Sequence, residues 1–237
     1  MPAAAFLPQV PFYRGKTITV TAGQEPGGLG DLRLKSVLPY FKKHIPGQPN
    51  IVTEGGPMKA HFLMLARYNA WANVRLYKMA GALPEELYRR EVGVYFKSLH
   101  GTLNHLLVTD RIWMRRLTGE GSHPNKLNAI AFDDFASLQA ARMSEDLRIV
   151  DYIERLQEAD IEKELDYSTL NGTPQRQPIC EILAHWFNHQ THHRGQAHAA
   201  LTLVGVTEPT PLDLLAMQRS AAGRSAAQKM PSERTSN

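Results

Sequence analysis

The sequence predicts an all-α protein. Its body, residues 58–217, reads as an up-down four-helix bundle, with a short α/β fragment ahead of it and a polar tail behind. Three observations predict this. Four long stretches carry apolar residues at helical spacing, about 3.6 residues per turn. The connections between them are modest in length, as in bundles of antiparallel neighbours. The texture of the chain changes after Pro57, from Gly- and Pro-rich to long helical periodicity.

The N-terminal fragment comes first. In "KTITVTAG" (Lys16–Gly23) branched residues alternate with others, as in a strand. The Gly27, Gly28 and Gly30 cluster lacks the Lys-Ser/Thr of a phosphate loop and the GxGxxG spacing, and reads as a tight turn before a helix. An amphipathic run follows from Leu32 to His44, and "IPGQPNIV" reads as a loop entering a second strand. Strand, turn, helix and strand make one βαβ unit, too small to bury both faces of its own strands. Met58 opens the first long helix of a self-sufficient domain, so residues 1–57 read as an appended fragment.

In the body, the first helix is expected over about Lys59–Ala82, stopping at "GALP", and the second over about Ser98–Leu117, ending at Gly119. The third runs from Asp133 or Asp134, its start signal, to about Ala159. The fourth spans about Ile179–Val204, with Gly205 as its left-handed terminator. Asn171-Gly172 favours a type I′ turn and hence a small hairpin between the third and fourth helices. A shorter helix is expected near Pro211–Gln218, and residues 218–237, small and polar, read as disordered.

Charge argues against a nucleic-acid partner. Of 27 Lys and Arg, six lie in 1–57 and four in 218–237, leaving 17 for the body. Of 23 Asp and Glu, three and one lie in those fringes, leaving 19. The body is slightly acidic, without the clustered cations and aromatic platform that nucleic acids require. No apolar run approaches the ~18 residues of a membrane helix, and "MPAAAFLPQV" lacks the features of a secretory signal. With a single cysteine, Cys180, no internal disulfide can form, and a cytoplasmic protein is expected.

The chemistry concentrates in "AHWFNHQTHHRGQAH", where His185, His189, His192, His193 and His198 fall in one predicted helix. On a wheel with His185 at zero, the apolar stripe centres near ~110° and His193 and His189 fall at about 80° and 40°. His185 and His192 lie at or beyond its edge, and His198 faces away, near ~220°. His189 and His193 are spaced i, i+4, so two imidazoles stack on one inward face, close enough to share an ion. Two unpaired imidazoles against an apolar core are costly unless something takes their lone pairs.

A third ligand must come from another helix. The second helix offers mid-helix His105, and His100 at its start, where a surface role is expected. Asp110 lies on the side of Leu106 and Trp113. Its carboxylate can take a ligand's second N–H or form an ion pair with Arg111 or Arg194. Gln196, near ~20° on the wheel, is placed to touch a substrate or a ligand, or to sit on the surface.

"SLHGTLNHLLVTDRIWMRRLTG", "HWFNHQTHHRGQAHAALTLVG" and the opening "HFLMLARYNAWANVRLY" together resemble the DinB family over about residues 58–217. The resemblance implies a four-helix bundle, commonly dimeric, with a divalent metal on three histidines: His105 from the second helix, His189 and His193 from the fourth. His185, with Asp110 and Gln196, is then a neighbour of the ligands or a pocket residue. Separately, "FYRGKTITVTAGQEPGGLGDLRLKSVLPYFKKHIPGQPNIV" resembles the start of the mature solute-binding proteins of tripartite tricarboxylate transporters (the Bug type). Most of both lobes of such a protein are missing, so its ligand binding is not carried over.

Three neutral histidines leave a coordination position open, the pattern of a catalytic rather than a structural site. Zn²⁺, Ni²⁺ and Fe²⁺ all suit that donor set. With the resemblance, the expected function is a metal-dependent enzyme acting on a small molecule; the DinB resemblance implies the thiol-dependent S-transferase or hydrolase type, with a low-molecular-weight thiol as a candidate cosubstrate. The alternative is a non-catalytic metal- or ligand-binding homodimer. No catalytic base is assigned.

Overall fold

The computed structural model describes residues 12–22, 29–55 and 58–220. The chain forms two compact units, one reaching to Met58 and the other beginning at Lys59.

The first unit is the expected βαβ element. Strand β1 (Thr17–Ala22) pairs in parallel with β2 (Asn50–Gly55), Thr17 opposite Asn50, and α1 (Leu29–His44) is the crossover. The helix begins earlier than its periodicity suggested and holds Gly30 within it, while Gly27 and Gly28 lie outside the described residues.

The second unit is the bundle. Its long helices are α2 (Met58–Ala80), α4 (Leu99–Thr118), α5 (Phe135–Arg155) and α7 (Ile179–Leu203). The short α3 (Glu85–Arg89) lies between the first two. All four long helices feed one core, with Leu76 and Tyr77 from α2, Leu103 and Leu107 from α4, Leu138 from α5, and Ala197 and Leu201 from α7. Between α5 and α7 come α6 (Glu158–Ile161) and the hairpin of β3 (Glu164–Ser168) and β4 (Pro174–Pro178). Past α7, the closing helix α8 (Leu214–Arg219) packs Met217 against Tyr68 and Ala72 of α2.

Helix ends follow their local signals. Ser98 caps α4, its hydroxyl accepting from the Gly101 N–H at 3.1 Å, and Asp134 caps α5 by accepting from the Ser137 N–H at 2.8 Å. Gly119 ends α4 at φ 73°, and Gly205 follows α7 at φ 104°, both conformations that favour glycine.

Three expectations need correction. The third helix stops at Arg155 rather than near Ala159, because Leu156 turns extended and Gln157 and Asp160 form a reciprocal capping box that starts α6. The hairpin loop is not a two-residue type I′ turn. Among the described residues only Gln48 and Lys97 are non-glycines with positive φ, so Asn171 does not take the left-handed conformation that turn needs. Instead Leu170, Asn171 and Gly172 form a three-residue loop between Thr169 and Thr173, with Gly172 at φ 84°. The C-terminal helix reaches Arg219, into the segment expected to be disordered, and residues 221–237 lie outside the described residues.

Among the described residues no helix is long and apolar enough to cross a membrane.

Candidate metal centre

Helices α4 and α7 pack side by side and bring His105, His189 and His193 together. Each offers a ring nitrogen, and these atoms lie within 4.8 Å of one another. The Nε2 atoms of His105 and His189 are 3.4 Å apart. A tetrahedral ion with bonds of about 2.1 Å holds its nitrogens roughly 3.4 Å apart, so that pair matches the donor spacing.

The outer nitrogens are arranged to match. His105 Nδ1 lies 2.8 Å from the Leu127 carbonyl oxygen, which can only accept. Its Nδ1 therefore carries the proton and its Nε2 keeps a lone pair. His193 Nδ1 meets Gln196 Oε1 at 2.8 Å, with the same consequence. These are the second N–H contacts that metal-bound imidazoles require. The Nδ1 of His189 is buried without a partner among the described residues.

Burial keeps the cluster uncharged. It pulls His105 down to about 4, with the Leu127 carbonyl pulling the other way and His193 adding to the fall. Burial, then His193 and His105, take His189 to about 3. His193 is also lowered, by burial against the opposing Gln196 contact. Neutral imidazoles are the form that binds a metal, so the donor set fits a divalent ion by chemistry as well as spacing.

The loop before α4 completes the site. Phe96 stacks on the His105 ring, with centroids 3.7 Å apart, and meets His193 edge-on at 5.4 Å. It is presented by a tight turn in which the Lys97 N–H reaches the Val94 carbonyl at 2.7 Å and Lys97 takes φ 68°. On the other side, Asn104 clasps Phe132 twice, donating to its carbonyl at 3.1 Å and accepting its N–H at 3.0 Å. That clasp fixes the loop carrying Leu127.

Of the neighbours expected from sequence, Gln196 touches a candidate ligand directly. His185 is exposed, its ring 5.9 Å from that of His189. Asp110 does not serve a ligand. Its carboxylate is 2.6 Å from the Arg142 guanidinium and accepts from Trp186 Nε1 at 2.6 Å and from the Gln190 amide. Arg142 also meets Asp146 at 2.9 Å, and Asn73 donates to Asp146 at 2.9 Å. The expected partners are engaged elsewhere: Arg111 lies 3.8 Å from Glu145, and Arg194 lies over the Tyr68 ring. Burial pushes Asp110 up to about 6, against the Arg142 charge and the Trp186 N–H. Burial opposes the Arg142 charge too, but Asp146 and Asp110 outweigh it and its pKa is raised. His100 is buried rather than superficial, with Nε2 3.3 Å from the Phe132 carbonyl.

A cavity of about 430 Å³ opens beside the cluster, with His189 in its wall. Ile112, Trp113, Leu127 and Leu170 supply its apolar lining, and Arg116 and His185 much of its polar edge. Sequence reasoning missed Phe96, Leu127 and Arg116. Gly101 was the available signal for the first, since close packing is one reason for a glycine inside a helix, although Gly195 in α7 has open space around it. The Leu127 contact is made by main chain and leaves no side-chain signature.

A family model described as the DinB family matches residues 58–230. The chain belongs to the DinB family. It is similar to Protein DinB of Bacillus subtilis (strain 168), 28% identical over 155 residues, which cover 63% of this chain and 90% of the relative. The family match spans the bundle and both helices of the histidine cluster.

Proposed function

We propose that His105, His189 and His193 hold a divalent ion, and that the protein is a metal-dependent enzyme acting on a small molecule. The reaction class is transfer to or from a low-molecular-weight thiol, or hydrolysis, carried out by a homodimer in the cytoplasm. The observation that carries this reading is the convergence of three uncharged imidazoles beside a cavity with one of them in its wall. An ion on three histidines with an open position lowers the pKa of a water or thiol and polarises a carbonyl.

The chain's own residues do the remaining work. Leu127 and Gln196 fix the proton on the far nitrogen of two imidazoles, aiming their lone pairs inward. Phe96 covers the His105 ring and excludes water from that side. Trp113 and Ile112 supply apolar contact for a substrate body, and His185 is the wall imidazole left to take up or give a proton.

No carboxylate lines the cavity among the described residues. That favours the competing reading, a non-catalytic metal- or ligand-binding dimer. Metal analysis of protein prepared without chelator tests the common ground. Wild type should carry one divalent ion per chain and His105→Ala far less; a metal-free wild type sinks the enzyme reading and the metal-binding form of its competitor. A panel of thiols and electrophiles on zinc-, nickel- and iron-loaded protein separates them, since turnover is expected only of an enzyme.

A further inference from the structure

We infer that Arg116 is the anion-recognising residue of the cavity beside His189, and that its ligand is a small monocarboxylate with an apolar body. This rests on the small-molecule reading of that cavity.

Arg116 is half-buried near the end of α4. Its guanidinium carbon lies 4.6 Å from the Trp113 ring centroid and 4.9 Å from that of Tyr167 on β3. Two aromatic faces hold the planar group, as suits the residue type that presents a rigid fork of donors. Those faces accept no N–H in the plane of the fork. Among the described residues Arg116 has no carboxylate partner, whereas Arg67, Arg89, Arg142 and Arg148 each face one. Burial lowers its pKa, with Tyr167 acting the other way, which marks a cation that has lost water without gaining a counter-charge.

The surroundings choose the ligand class. Any ion on the histidines apart, Arg116 is the single permanent charge among the described residues of the cavity wall, and no acidic residue there opposes it. One unpaired guanidinium matches one carboxylate, which it can grip through two parallel N–H bonds. Among the described residues no lysine or second arginine lines the wall, so in the metal-free site a phosphate dianion would be left with charge uncompensated. Trp113 and Leu170 offer apolar contact to the rest of the molecule, and about 430 Å³ is a small-molecule volume.

Calorimetric titration with phenylacetate and its neutral amide, phenylacetamide, tests this on the full chain, both zinc-loaded and chelator-stripped. The stripped arm removes any carboxylate affinity owed to a metal. In the stripped protein phenylacetate should bind about tenfold tighter than the amide, the margin of a charge-assisted over a neutral hydrogen bond, and by at least that margin in the zinc-loaded form. In the stripped protein Arg116→Gln should bring the two ligands within about twofold, while Arg116→Lys keeps part of the preference. In the stripped protein, equal affinities, no binding of either probe, or a preference that survives Arg116→Gln would overturn the inference. Failure of the metal reading shows separately, as a wild type that takes up no zinc while the stripped protein still prefers the carboxylate.

Discussion

Gly101 stands in the first turn of α4, and a Cβ built there lies 2.1 Å from the carbonyl oxygen of Phe96. Real Cβ contacts essentially never come closer than 3.0 Å, so in Gly101→Ala something must move by most of an ångström. The obstacle is main chain, held in a turn whose Ser98 N–H reaches that same oxygen at 2.8 Å. The Phe96 ring must shift with it, away from His105. Helix propensity alone favours alanine by up to ~1 kcal/mol, while forced overpacking costs about 1–3 kcal/mol. Set against the full propensity gain, the net expectation is a loss of up to about 2 kcal/mol. Gly195 in α7 is the internal control, because a Cβ there meets nothing within 4 Å. Gly195→Ala should therefore gain up to ~1 kcal/mol. Urea unfolding of both variants reads the two signs, and zinc competition against a chromophoric chelator reads the site, where only Gly101→Ala should weaken binding. A Gly101→Ala protein as stable as wild type, with unchanged zinc affinity, would refute the reasoning.

Removing Arg142 leaves Asp110 and Asp146 buried without their cation, so Arg142→Leu should cost about 3–5 kcal/mol; a loss under ~1 kcal/mol in urea would show that the network relaxes or admits water. In chelator-stripped protein the lowered histidine pKa values set the sign of an acid dependence. The unfolded chain takes up protons below 6.5 while folded His105 and His189 wait until about 4 and 3, so their contribution is intact above 6.5 and is lost as pH falls toward those values. Asp110, raised to about 6, works in the opposite direction above 3.8. The slope of stability against pH should therefore be compared between wild type and His189→Gln, which keeps Asp110. The variant should lose less stability on acidification, and parallel slopes would contradict the assignment.

Much of this architecture is legible in sequence because its signals are local. The caps Ser98 and Asp134 and the terminators Gly119 and Gly205 act within one turn of where they stand. The inward placement of His189 and His193 follows from helical period alone. Helices α3 and α6 escape because four or five residues are too few to display a period. Long-range partners escape for a different reason. Spacing put Asp110 on the side of Leu106 and Trp113, but no local rule tells which arginine crosses the bundle to meet it, and the one that does comes from α5. His100 looked superficial because it begins a helix, yet Phe132, distant in sequence, brings its carbonyl onto the ring.

The acceptor that orients His105 is the peptide oxygen of Leu127. Every amino acid carries that oxygen, so side-chain replacement at position 127 leaves it in place. An alanine scan would pass over one of the contacts that aim the cluster, and inherited variation at that position is free to follow the needs of the cavity, which the Leu127 side chain also lines. What such a contact depends on is the path of the loop. Insertions, deletions or a proline near Leu127, or loss of the Asn104 clasp on Phe132, are the changes that would turn the imidazole away.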